Sequence, residues 1–68
     1  MNFHVELERE TDGRWIGEVP ELAGVMAYAL SREDALSRVQ ALALRVLADR
    51  LEHGEGAPNL LTVVFEAA

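Results

Sequence analysis

The fold of this chain is decided by residues 12–35, DGRWIGEVPELAGVMAYALSREDA, which combine two turns, two β-type segments and a helix start. Gly13 follows an aspartate between two stretches of β-type sequence, and glycine supplies the positive φ that a tight hairpin loop requires. Pro20 cannot donate a backbone hydrogen bond, so the strand before it should end near Val19. Gly24 then leads into a further apolar segment. The stretch predicts a hairpin, a Pro-Gly loop, a third strand and a helix.

The helix start is marked by a capping residue. Ser31 is a good N-cap, and two acids follow it in the first turn, where the helix dipole favours negative charge. We expect the helix to run from Arg32 to about Glu52 or His53. Gly54 follows, with a second glycine and a proline beyond it, and these residues end helices.

Four segments have the composition of strands. The first alternates apolar and polar residues, which predicts a half-buried strand with its apolar side chains inward, Phe3, Val5 and Leu7. The third and fourth are apolar almost throughout, which predicts strands with little solvent on either face. We therefore expect residues 1–68 to form a single α+β domain of βββαβ order, with one long helix packed on a four-stranded, mostly antiparallel sheet. The predicted strands are residues 3–8, 14–19, 25–30 and 60–65.

The decisive stretch also resembles the N-terminal domain of the HicB-like antitoxins, a bacterial family. The shared elements are an Asp-Gly turn, an aromatic residue, a Val-Pro-Glu-Leu-x-Gly loop and a Ser-x-Glu-Asp-Ala helix start. In this sequence they are Asp12-Gly13, Trp15, residues 19–24 and residues 31–35. The resemblance implies a partial ribonuclease H-like fold and binding to a HicA toxin, which is a small basic mRNA interferase.

Many members of that family carry a C-terminal ribbon-helix-helix or helix-turn-helix segment that binds DNA. Only Glu66, Ala67 and Ala68 follow the last predicted strand, so we expect no C-terminal DNA-binding module here.

The length of the chain and the width of its helix predict self-association. A domain of 68 residues buries only about 60% of its extended surface, and the absence of cysteine excludes disulfides and thiolate metal sites. The helix is apolar over roughly 200°, whereas one sheet needs little more than about 100°. We assign Leu36, Val39, Ala43, Val46 and Leu47 to the domain's own sheet. We assign Leu42, Leu44 and Leu51 to a homodimer or higher-oligomer interface; the alternative is a wide core helix wrapped by residues 54–60.

The net charge of −6 is distributed unevenly. Residues 1–31 hold six acids and two arginines, residues 32–50 hold four arginines and three acids, and residues 51–68 hold three acids and no base. An acidic sheet repels phosphates, so we expect no nucleic-acid binding and a better match to a basic protein. Tyr28 is equally consistent with core and interface, whereas Trp15 fits the core better. The candidate partner contacts are Glu6, Glu8, Glu18, Glu21 and Tyr28.

The sequence contains none of the motifs that carry common catalytic chemistry. It has no nucleophile elbow, P-loop, zinc-protease motif, pair of histidines or dinucleotide fingerprint. We therefore expect no enzyme, no cofactor and no metal site. His4 and His53 are expected in surface or capping roles. The outward acids Glu6, Glu8 and Glu18 could bind a divalent cation, but a solvated acidic sheet face is the better interpretation.

No basic segment followed by an apolar stretch begins the chain, and no apolar run approaches the roughly 18 residues of a membrane span. We therefore expect a cytoplasmic protein without membrane contact. Two functions fit these observations. The first is an antitoxin-like protein that binds and neutralises a small basic HicA-type toxin. The second is a stand-alone homo-oligomeric interaction or structural module without a toxin partner.

Overall fold

The computed structural model describes residues 1–55 and 58–67. It is an α+β domain with one helix against a four-stranded mixed sheet, which confirms the predicted fold class and βββαβ order. The sheet order is β3-β2-β1-β4, with β1 antiparallel to β2, β2 antiparallel to β3, and β1 parallel to β4. The elements are β1 (Asn2–Arg9), β2 (Trp15–Glu18), β3 (Met26–Ala29), α1 (Arg32–Glu52), a 3₁₀ turn (Pro58–Leu61) and β4 (Val64–Ala67).

The predicted hairpin joins β1 to β2. Gly13 has φ +90° and donates its N–H to the carbonyl of Glu10 at 3.0 Å. The carboxylate of Asp12 accepts the backbone N–H of Arg14 at 3.1 Å and its side-chain Nε at 2.8 Å. The turn therefore has a glycine at a positive φ, which strains other residues, and an aspartate that holds Arg14 at the start of the returning strand segment.

The helix begins and ends where the sequence predicts. The Ser31 hydroxyl oxygen accepts the N–H of Asp34 at 3.1 Å, which satisfies one of the free donors of the first turn. His53 caps the other end, and its Nδ1 lies 2.8 Å from the carbonyl oxygen of Asp49. Gly54 follows with φ +71°. The predicted second glycine stop, Gly56, lies outside the described residues.

The core lies between α1 and one face of the sheet. Gly17 on β2 lets the helix approach closely, because a Cβ there would lie 2.9 Å from Val39 Cγ1 and 3.0 Å from the carbonyl oxygen of Ala35. The residues assigned to the sheet side of the helix are buried or partly buried, as predicted. The buried core cluster consists of Phe3, Val5, Val19, Leu22, Val25, Val39, Ala43 and Leu47.

The prediction that β3 has little solvent on either face is wrong. Its small alanines face α1, whereas Met26 and Tyr28 are each 43% exposed, and Leu30 just beyond the strand is 86% exposed. The reason is that the single helix covers only one face of the sheet. In this strand all four residues are apolar or aromatic, so the face that the helix covers differs from the open face in side-chain size: the alanines are covered, and Met26 and Tyr28 are exposed.

The prediction of a covered strand over residues 60–65 is also wrong. Its first part is the end of the 3₁₀ turn, where Leu61 is 97% exposed, and β4 begins only at Val64. Pairing with the start of β1 fixes this register, because the N–H of Val64 donates to the carbonyl of Met1 at 2.9 Å. Val64 is 41% exposed on the open side of the sheet.

No helix within the described residues has the length and hydropathy needed to cross a bilayer.

Candidate protein-binding surface

The face of the sheet that α1 does not cover is the candidate site. Alternation in β1 directs Phe3 and Val5 into the core and the even-numbered residues away from it. The strand register extends this open side across all four strands. We call it the outer face, and its residues are Asn2, His4, Glu6, Glu8, Ile16, Glu18, Met26, Tyr28, Val64 and Glu66.

Three acids form the centre of the outer face. Glu6 lies directly opposite Glu18 across the β1–β2 pair, and Glu8 is the next outward residue on β1. Residues opposed in this way have Cβ atoms about 5 Å apart, and like charges at that separation repel. None of the three forms an ion pair within residues 1–55 and 58–67. We call these three residues the acidic group.

Apolar side chains border the acidic group on its β3 side. Tyr28 lies opposite Ile16, which in turn lies opposite Glu8, and Met26 lies opposite Glu18. The guanidinium of Arg14 lies 4.7 Å from the centroid of the Tyr28 ring, which holds the ring by a cation–π contact. The structure thus brings four of the five predicted contacts onto one face, with an exposed aromatic at its edge.

Glu21, the fifth predicted contact, has a different environment. It lies in the loop between β2 and β3, and its two carboxylate oxygens are 3.1 and 3.2 Å from the backbone nitrogen of His4. Oε2 is also 2.5 Å from the ring Nδ1 of His4. Glu21 therefore joins the loop to β1, and its charge is not part of the acidic group.

The acids around His4 shift its titration. The hydrogen bond and charge of Glu21 raise the pKa of His4, and the more distant carboxylates of Glu66 and Glu6 act in the same direction. The hydrogen bond from His4 lowers the pKa of Glu21. His4 is on the surface as predicted, but its pairing with a loop seventeen residues away was missed, because no local pattern signals it.

Trp15 lies on the helix side of β2 and is partly buried, but it is not part of the buried core cluster. Leu42 is partly buried against the core of its own domain, whereas Leu44 is 47% and Leu51 is 55% exposed. His53 has the predicted capping role. In the part of the chain that the structure describes, no group of three His, Cys, Asp or Glu side chains is arranged to hold a metal ion.

No protein-family model matches the chain, and neither a curated protein nor a solved structure matches it significantly.

Proposed function

We propose that the outer face is a protein-binding surface, and that the chain is an antitoxin-like protein that neutralises a small basic HicA-type toxin in the cytoplasm. The observation that carries the proposal is the unpaired acidic group, Glu6, Glu8 and Glu18, beside the exposed side chains of Met26 and Tyr28. A surface of this kind matches a partner with a basic patch around an apolar recess.

The two parts of the surface have different roles in binding. Charges at the rim of an interface act mainly on the rate of encounter and on the choice of partner. Exposed aromatic and methionine side chains supply the apolar contact that slows dissociation, and both residue types are enriched at interfaces. Tyr28 is suited to an anchor because Arg14 restricts its ring before a partner arrives.

The toxin class comes from the resemblance of residues 12–35 to HicB-like antitoxins. That segment contributes Ile16, Glu18, Met26 and Tyr28 to the outer face, so the part of the chain that resembles the family also forms part of the proposed surface. A basic mRNA interferase is a natural target for an acidic inhibitor, because its own substrate is a polyanion.

The test is co-expression with the product of the adjacent gene, where that product is a small basic protein that arrests growth. We expect the two proteins to co-purify and growth to be restored. The double variant Glu6→Arg/Glu18→Arg should slow association and reduce its salt dependence. Glu52→Arg/Glu55→Arg makes the same change in net charge away from the sheet, and it should behave as the wild type.

The second candidate function is a stand-alone homo-oligomeric module. The exposed Leu44 and Leu51 on α1 favour it, because large apolar side chains on one helix face are often covered by another subunit. Loss of both co-purification and growth rescue, with a neighbour that is itself toxic, would favour this function over the antitoxin.

A further inference from the structure

The edge of the sheet at β3 presents open backbone groups. The N–H of Val19 donates to the carbonyl of Val25 at 3.0 Å, so the odd-numbered residues of this antiparallel pair direct their backbone groups at each other. The N–H and C=O of Met26 and Tyr28 therefore point away from β2. Apart from the contact of Tyr28 with Arg38, at 3.3 Å from Nη1 to the carbonyl oxygen, no described residue pairs with this edge.

A groove runs beside this edge, between β3 and α1. Its volume is about 520 Å³, and its lining includes the small side chains of Ala27 and Ala41. Small residues on both walls leave room for side chains from another chain. An added strand would therefore find backbone partners and side-chain space at the same place.

The groove has the opposite charge to the rest of the molecule. Arg38 and Arg45 line it, and among the described residues no acid does, although the chain as a whole carries a net charge of −6. The occupant that complements this charge is acidic. Pairing of β3 with β3 of a second copy would bring two sets of the same arginines to one side of a joined sheet, so charge disfavours that dimer.

The two sides of the β3 edge differ in charge and in apolar character, and this difference determines which residues should alternate in an added strand. Side chains of an added strand alternate between the helix side, where Arg38 and Arg45 line the groove, and the open side, where Met26 and Tyr28 are exposed. We propose that the β3 edge and this groove bind an extended segment of another protein in which acidic and apolar residues alternate. The segment adds a fifth strand beside β3. This site shares Met26 and Tyr28 with the proposed toxin surface, but its charged residues are arginines of α1 and not the acidic group, so its charge preference is the opposite one.

The test uses a capped heptapeptide, Thr-Val-Glu-Val-Glu-Val-Thr, titrated into the ¹⁵N-labelled protein. We expect shifts of the Met26 and Tyr28 amide signals and slower exchange of both amides with solvent. The same peptide with lysine in place of glutamate should not bind. A version N-methylated at its five central residues should also not bind, because it cannot form the strand pairing.

Two charge-reversal variants on α1 distinguish recognition of the peptide's acids by the groove from an effect of the protein's net charge. Arg45→Glu should weaken peptide binding by about tenfold, whereas Arg50→Glu makes the same charge change outside the groove and should leave the affinity unchanged. Circular dichroism should show both variants folded.

Three results would overturn the proposal. They are absence of amide shifts at Met26 and Tyr28 at millimolar peptide, equal binding of the lysine peptide, and concentration-dependent protection of these amides without peptide, which would identify a second copy as the occupant. None of them depends on the acidic group, so this proposal and the proposed function can fail separately.

Discussion

The carboxylate of Glu21 binds both the backbone and the ring of His4, with Oε2 only 2.5 Å from Nδ1. This contact joins the loop between β2 and β3 to β1, one of the two central strands of the sheet, seventeen residues earlier in the chain. It also places a titrating cation at the end of an acidic face, beside Glu66 at 3.9 Å. Its contribution to folding therefore depends on pH.

The stabilisation from this pair should be largest in mildly acidic solution. The raised pKa of His4 stabilises the fold below the ordinary value of 6.5, and this contribution is lost as pH rises through the raised pKa. The lowered pKa of Glu21 stabilises the fold above the ordinary value of 4.5, and this is lost as pH falls through the lowered pKa. Glu21→Gln should therefore lower the free energy of unfolding most between pH 4.5 and pH 6.5, the ordinary pKa values of the two groups. A loss that does not vary with pH, or that grows above neutrality, would contradict this.

Gly17→Ala should destabilise the domain by about 1–3 kcal/mol, because the added methyl group overlaps Val39 and the backbone of Ala35. Urea unfolding measures the change. The double variant Gly17→Ala/Val39→Ala should cost less than the sum of the single changes, since removing the valine methyl groups relieves part of the overlap. Additive costs would show that the helix does not contact β2 at this point.

Ser31→Ala should lower the free energy of unfolding by about 1 kcal/mol, because the N–H of Asp34 loses its acceptor at the start of α1. Ser37→Ala, inside α1, is the matched control and should change the free energy of unfolding by less than about 0.5 kcal/mol. Equal effects of the two substitutions in thermal or urea unfolding would exclude a specific capping role for Ser31.

Leu51→Glu should reduce self-association. We predict a homodimer or higher oligomer in which the exposed Leu44 and Leu51 are covered, so a charge at this position should shift the mass measured by light scattering toward a single chain. Thr11→Glu, which adds the same charge at an exposed position of the β1–β2 hairpin, is the control. A wild-type protein with the mass of one chain at micromolar concentration would contradict the oligomer.

Local rules were sufficient for much of the fold. The hairpin follows from Gly13, the helix start from Ser31, and the outward direction of Glu6 and Glu8 from the alternation of β1. The hairpin register then places Glu18 opposite Glu6. These predictions succeeded because each depends on neighbouring residues or on one short turn.

The features that the sequence did not predict depend on contacts between distant residues. The contact of His4 with Glu21 arises only when the loop returns beside β1. The one-sided exposure of β3 requires knowledge that a single helix covers the sheet. Gly17 carried a usable signal, because glycine within a strand often marks a close approach of another backbone, and here that backbone is α1.

The central claim, that the outer face binds a small basic protein, is tested most directly by mapping the interface in the complex. Cross-saturation from the unlabelled partner to the ²H,¹⁵N-labelled chain reports which amides lie at the contact. We predict attenuation at Glu6, Glu18 and Tyr28 on the outer face and none at Leu44 on α1. Attenuation confined to α1, with the amides of β1 and β2 unaffected, would contradict the claim.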